Sequence, residues 1–260
     1  MDIIVSQVKP DIILYGTGWQ VNFSSIVKSI CIKYTIKSIA LIDHWARYKE
    51  RFFENSLPNA ILVMDDIANK KAKELLNTEI PIFQTKNYYI ENIIASFSLI
   101  ENKIFDSIVF ISQPTVVDKI DSNAYEYALL EDILAMFNQV VVRLHPTENK
   151  NKYNEVIAKF PKKKVSVVES YEEDLTITLS KSKLTIGIGS MALYISYILG
   201  IKTVSYISDR HHTPNIPLPK KYILTNLRDV RKLVFEQANK SNLYSKSESF
   251  DTVLNVLLKG

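Results

Sequence analysis

Short apolar runs separated by longer stretches of helical spacing recur along the chain. In the first half "DIILYG", "SIALID", "AILVMD" and "IPIFQ" are interleaved with "VNFSSIVKSICIKY" and "IANKKAKELLN". Brief apolar runs bounded by Gly, Asp or Gln read as buried parallel strands, and the amphipathic stretches between them as crossover helices. In such an arrangement Gly16, Thr17, Gly18, Asp43, His44, Asp65 and Asp66 share one edge of a sheet, where α/β proteins place ligands. A helical stretch, "NYYIENIIASFSLIENKI", then leads into a second series: "DSIVFISQP", "QVVVRLHP", "KVSVVES", "KLTIGIGS" and "KTVSYIS". "AYEYALLEDILAMF", "NKNKYNEVIAKF" and "SMALYISYILG" supply helices between these strands. The pattern predicts two α/β domains, residues 1–100 and 101–260. The amphipathic end, "SFDTVLNVLLKG", is expected to cross back over the first.

Composition narrows the class without naming an activity. The 260 residues suit two domains, and 47% apolar with 23% charged residues is the make-up of a globular protein, not a disordered or fibrous one. A net charge of +4, from 32 basic and 28 acidic residues, is too balanced to imply nucleic acid. The densest basic run, "KFPKKKVSVV", reads as a solvated turn at Lys162, Lys163 and Lys164 opening a strand, with at most a weak attraction to phosphate or membrane headgroups. Cys31 lies within an apolar helical pattern and reads as a core thiol. The chain lacks both an apolar stretch of membrane-spanning length and a secretory leader pattern, which points to the cytoplasm, with peripheral attachment to the inner membrane face allowed.

Two stretches carry candidate chemistry. "VVVRLHPTENK" is a buried strand whose end delivers Arg143, His145 and Pro146 to a loop, so a cation and an imidazole can sit beside an anionic ligand. "LTIGIGSMALYISYILG" runs a strand through Gly187 and Gly189 into a helix beginning at Ser190 and Met191. Glycine permits close backbone approach, and a helix start offers unpaired N–H groups to a phosphate. A plain strand-to-helix turn capped by a serine explains the same residues, and the dinucleotide fingerprint fails at its third glycine.

"RLHP", "GIGSMAL" and "LGIKTVSY" together resemble the second domain of bacterial glycosyltransferases of the GT-B fold, which have two Rossmann-like domains facing across a cleft. The Arg-x-His-Pro pattern is similar to one in capsule and lipo-oligosaccharide sialyltransferases and in teichoic-acid polymerases. "DIILYGTGWQ", "SIALIDHWARYKERF" and "AILVMDDIANKKAKEL" look like first domains of surface-polysaccharide proteins of that fold, here shortened at the amino end. The resemblance implies a nucleotide-sugar donor, CMP-, CDP- or UDP-linked, held as substrate by Arg143, His145, Gly187, Gly189, Ser190 and Met191, with no resident cofactor. The acceptor is expected to be a glycan or a lipid-linked sugar in capsule or lipopolysaccharide synthesis.

In the first domain, "LIDHWARYKERF" is the most unusual polar cluster. Asp43 or His44, at a strand end, can take a proton from an acceptor hydroxyl, while Trp45 can stack on a sugar and Arg47 or Arg51 can grip an anion. The plainer alternative makes Asp43 the cap of a helix "WARYKERFF" and Trp45 a core residue. His211 and His212, in the proline-rich loop "SDRHHTPNIPLP", are adjacent and point apart on an extended chain, so no metal site is expected. The expected activity is therefore metal-independent, inverting sugar transfer. A nucleotide-sugar epimerase or hydrolase, a glycerol-phosphate transferase, or a non-catalytic binding protein would draw on the same pattern.

Overall fold

The computed structural model describes residues 1–18, 23–52, 56–114, 122–207, 216–226, 229–230 and 250–259. The chain forms two α/β units, Met1–Tyr88 with Tyr244–Gly260, and Tyr89–Leu243. The division thus falls at 88/89, and the amphipathic carboxyl-terminal segment rejoins the first unit, as its pattern predicts.

The first unit runs α1 (Asp2–Val8), β1 (Ile12–Gly16), α2 (Phe23–Tyr34), β2 (Lys37–Ile42), β3 (Ala60–Val63), α3 (Asp66–Leu76) and β4 (Ile82–Gln84). Its strands are all parallel and lie in the order β1-β2-β3-β4. Leu14 pairs with Ile39 and Ile39 with Ala60, so Ile12, Ile39, Leu41, Ala60, Leu62 and Phe83 share a face. The last helix, α9 (Phe250–Lys259), presses Val253 and Leu254 onto that face. Cys31 is buried, as its setting predicts. Helix α1 has no counterpart in the periodicity: Val5 is buried, but Ile3, Ile4 and Val8 remain exposed, so no apolar stripe marks it.

One local expectation fails here. "WARYKERFF" is not a helix over its described part, which forms bends and a turn, and Arg47 sits at φ 58, outside right-handed helix geometry. Trp45, Tyr48 and Phe52 have helix-like spacing and are all buried. Two of them are bonded to another segment, Trp45 Nε1–H to Asp65 and the Tyr48 hydroxyl to the Ala68 carbonyl. These long-range bonds outcompete the local helical ladder.

The second unit runs α4 (Tyr88–Ser98), β5 (Ser107–Ile111), α5 (Ser122–Met136), β6 (Gln139–Arg143), α6 (Asn154–Ala158), β7 (Lys164–Val168), α7 (Leu175–Ser180), β8 (Ser182–Gly187), α8 (Met191–Ile198), β9 (Thr203–Tyr206) and β10 (Ile223–Leu224). The sheet is parallel throughout and ordered β10-β9-β8-β5-β6-β7. The chain starts in the middle, winds outward through β6 and β7, then returns to β8 and winds the other way. That reversal is the doubly wound pattern, and it opens a crevice beyond the carboxyl ends of β5 and β8. Phe110, Leu129, Leu130, Ile133, Val140, Val142, Tyr153 and Ile186 fill one large core. Phe97, Leu179, Ile195 and Ile201 form a smaller one among α4, α7 and α8.

Val253 is fully buried against the first sheet. Val253→Ala is expected to destabilise the protein by roughly 2 kcal/mol through lost burial and the cavity left behind. Urea unfolding followed by circular dichroism reads this as a lower midpoint with an unchanged slope.

Candidate functional site

At the carboxyl edge of the second sheet three strand ends converge on the reversal point. Strand β6 leads to Leu144 and His145, β5 leads to Ser112 and Gln113, and β8 leads through Ile188 and Gly189 to Ser190. Ser190 is the amino cap of α8, its hydroxyl accepting the Leu193 N–H at 3.3 Å. The neighbouring Gly189 N–H donates to the Gln113 side-chain oxygen at 3.0 Å, which ties the two central strands together across the crevice. Met191 is half-buried against the smaller core. Gly187 has a packing reason: a Cβ there would lie 3.1 Å from the Ile111 carbonyl oxygen and 3.5 Å from Leu193.

His145 is half-buried at this edge. The Thr147 N–H donates to its Nδ1 at 3.3 Å, and the Thr147 hydroxyl lies 2.9 Å from the same nitrogen. An Nδ1 that accepts leaves the proton on Nε2 in the neutral ring, an assignment that follows from the hydrogen bonds. Burial first, with help from the Lys152 charge and against Glu148, holds the imidazole below its usual pKa. At neutral pH His145 is therefore an uncharged Nε2–H donor.

Arg143 lies at the end of β6 but turns inward. It is 6% exposed, and its guanidinium donates to the Glu173 carbonyl and to the Thr178 hydroxyl, locking β6 to the start of α7. Asp174 caps α7 by accepting the Thr176 N–H at 2.7 Å, and the acidic run 172–174 lies at the helix start, where negative charge is favoured.

Beneath this edge lies a group that motif reading passed over. Lys152 is ion-paired to both Glu126 and Glu148, and the three side chains are 10%, 0% and 5% exposed. Glu126 accepts the Gln113 N–H at 2.9 Å, and Glu148 accepts the His145 N–H at 2.8 Å. Lys152 also lies 5.0 Å from the centre of the Tyr153 ring, whose hydroxyl is hydrogen-bonded to Ser112 at 2.6 Å. One buried ammonium thus fixes the backbone of β5 and β6 where they leave the sheet, and Gln113 passes that order on to Gly189. Two signals mark the cluster in sequence: Glu148 three residues after His145, and Glu126 as a lone charge at helical spacing from Leu129, Leu130 and Ile133.

In the first unit the strand registers do bring Gly16, Asp43 and Asp65 to one edge. Asp43 presents its carboxylate there with 73% side-chain exposure. His44 is half-buried beside Trp45, rings 5.6 Å apart, and burial holds its pKa below the usual value, with Arg51 adding to this and Asp43 opposing it. Trp45 is 1% exposed, with Nε1–H on Asp65 at 2.7 Å, and belongs to the core, not to a sugar platform. Arg51 is likewise buried, donating to the Thr17 carbonyl at 2.7 Å and hydroxyl at 2.9 Å, with Asp43 at 3.4 Å. It clasps the β1 and β2 ends in place of an external anion. His211 and His212 fall outside the described residues. Among the described residues no group of three or more His, Cys, Asp or Glu is placed to hold a metal ion.

Two α/β units with parallel sheets, the second doubly wound, define the GT-B-like class of fold. Solved structures bear this out across the whole chain. UDP-GlcNAc 2-epimerase from Neisseria meningitidis, bound to UDP-GlcNAc, superposes with a TM-score of 0.65 at 13% identity, covering 100% of this chain and 79% of that one. The Methanocaldococcus jannaschii UDP-GlcNAc 2-epimerase, in complex with UDP-GlcNAc and UDP, gives 0.63 at 14% identity over 100% and 78%. MurG from Acinetobacter baumannii gives 0.55 at 12% identity over 100% and 76%. No protein-family model and no curated protein matches the chain by sequence.

Two predictions follow from the geometry. Lys152→Met strands two buried carboxylates and is expected to cost about 3–5 kcal/mol at neutral pH. Burial already raises the pKa of Glu126 with Lys152 in place. A raised carboxyl pKa favours the folded state at low pH and disfavours it as pH rises, so the deficit in urea melts should shrink on acidification. For His44 and His145 the sign is opposite. Their folded pKa values are depressed, so the unfolded chain takes up protons first, and their stability is lost as pH falls through the unfolded value of about 6.5. A His44→Gln/His145→Gln variant should show a flatter stability profile than the parent over that window.

Proposed function

We propose that the protein transfers a sugar from a nucleotide-activated donor to a glycan or lipid-linked acceptor, with the donor phosphates held on the second unit. The observation that carries this reading is the neutral Nε2–H donor of His145 after β6 and the Ser190-capped start of α8 after β8, on the two strands that flank β5 at the sheet's reversal point. A nucleoside mono- or diphosphate can accept hydrogen bonds from both. Donation to the departing phosphate strengthens as its charge develops, which lowers the barrier selectively. Gly189 and Gly187 act through the backbone and packing, and Arg143 through the loop it anchors.

On the first unit Asp43 is the favoured base for the acceptor hydroxyl. Its carboxylate is largely exposed, whereas Asp65 is engaged by Trp45 Nε1 and the Ala68 N–H. His44, an uncharged imidazole at neutral pH, is the alternative. Transfer needs one such base and a stabilised leaving phosphate, and no metal is assigned a step.

A second reading is nucleotide-sugar epimerisation, favoured by the higher TM-scores of the two epimerases over MurG. Against it, Glu126, Glu148, Glu169, Glu172, Glu173 and Asp174 on the second unit all have hydrogen-bond or ion-pair partners within the chain, which leaves few acids among the described residues to work on a sugar ring.

The test is a thermal-shift screen against CMP, CDP, UDP, GDP and their sugars. A ligand at about 100 times its Kd is expected to stabilise by roughly 2.7 kcal/mol, a shift of a few degrees. His145→Ala should abolish that shift, while Asp43→Asn should retain it and lose turnover with acceptor. Conversion of the stabilising nucleotide sugar into an epimer without any acceptor would select the second reading. A folded protein that responds to no nucleotide overturns both.

A further inference from the structure

The amino edge of the second sheet, opposite the phosphate site, has a distinct chemistry. Because all six strands are parallel, every helix-to-strand turn of this unit lies along that one edge. The turns carry Lys103 before β5, Lys162 and Lys163 before β7, Lys202 before β9, and Lys220 and Lys221 before β10, with Lys163 donating to the Asn138 side-chain oxygen at 2.8 Å and Lys103 to the Ile100 carbonyl. Lys181, before β8, is paired to Glu173. The carboxylates in these turns are Glu101 and Asp106, and the lysines outnumber them. At the other edge, after β7, Glu169 and Glu172 are paired to Lys150.

An apolar projection stands in the middle of the basic edge. The turn from α4 to the inner strand β5 leaves Leu99 79%, Ile104 61% and Phe105 50% exposed. With strands about 4.8 Å apart, lysines flank this projection at roughly 10 Å on the β7 side and 14 Å on the β10 side. We propose that this edge docks on an anionic phospholipid bilayer, with Ile104, Phe105 and Leu99 entering the headgroup region and the lysines meeting the lipid phosphates. A phosphate lattice alone offers nothing to the aliphatic side chains, and protein interface cores are depleted in lysine. Cations flanking exposed aliphatic and aromatic residues are the composition of an interfacial membrane contact. The inference does not depend on the reaction, since it concerns the edge remote from the proposed phosphate site.

Co-sedimentation of the intact protein with phosphatidylcholine vesicles, with and without phosphatidylglycerol, tests it. Binding is expected only with phosphatidylglycerol and should weaken as salt is raised. Each lysine removed should lower the partition coefficient about fivefold, so Lys162→Gln/Lys163→Gln and Lys220→Gln/Lys221→Gln should each lose roughly 30-fold. Ile104→Ser/Phe105→Ser, which leaves the charge untouched, should lose at least tenfold. Lys70→Gln/Lys73→Gln on α3 makes an equal charge change elsewhere and should bind as the parent does. The proposal is overturned if phosphatidylglycerol is not required, if the control pair loses as much as the edge pairs, or if the serine variant binds normally. Binding to duplex DNA that needs the lysines but not Ile104 and Phe105 would also overturn it and mark a polyanion site instead.

Discussion

The second unit is organised around one buried ammonium group. Lys152 lies between Glu126 and Glu148 in a region closed to water, and neither carboxylate can be left unpaired there without a cost of several kcal/mol. A buried ion pair is a poor source of net stability, because desolvation cancels much of the attraction. Its value here is geometric. Each carboxylate keeps a second oxygen for a backbone N–H, Gln113 for one and His145 for the other, so the charges hold two loops in a single register. Through the Gln113 side chain the same constraint reaches Gly189, next to the cap of α8. His145 can present Nε2–H in a fixed direction because the turn beneath it cannot relax.

The first unit solves the same problem with Arg51. Its guanidinium gathers the Thr17 carbonyl and hydroxyl, the Ala46 carbonyl and the Asp43 carboxylate, binding the ends of β1 and β2. Arg143 does likewise for β6 and α7. Parallel sheets end in loops whose backbone groups have no ladder partners, and a multidentate cation satisfies several at once. Arg51 and Arg143 are thus structural clasps, and the described groups left outward at these carboxyl ends include the Asp43 carboxylate, the His145 imidazole and the start of α8.

That distinction explains which parts of the molecule were legible in the sequence. Strands with continuous apolar runs and helices with a clean stripe, such as "AILV" and "DIANKKAKELL", follow from periodicity alone. The capping role of Ser190 follows from its position before a helix. Arg143 was misleading because a cation at a strand end reads the same whether it faces a ligand or folds back, and only the partners Glu173 and Thr178, thirty and more residues away, decide it. "WARYKERFF" misled for the same reason: Asp65 and Thr17, distant in sequence, set its conformation. Gln113 gave no local signal at all, since its role depends on β5 and β8 being neighbours.

The clasps also shape how an anion can be held. Among the described residues at the carboxyl edge of the second sheet, Arg143, Lys150 and Lys152 each bond groups of the chain itself. A phosphate at this edge would meet hydrogen-bond dipoles, the helix start and a neutral imidazole. Such a field is short-ranged and little affected by salt, in contrast to attraction by exposed ammonium groups, which fades beyond about 8 Å at physiological ionic strength. Lys162, Lys220 and Lys221, all exposed, stand at the other edge. Strand direction in a parallel sheet therefore does more than place a crevice. It separates the edge proposed to hold an anion by geometry from the edge whose turns carry the lysines.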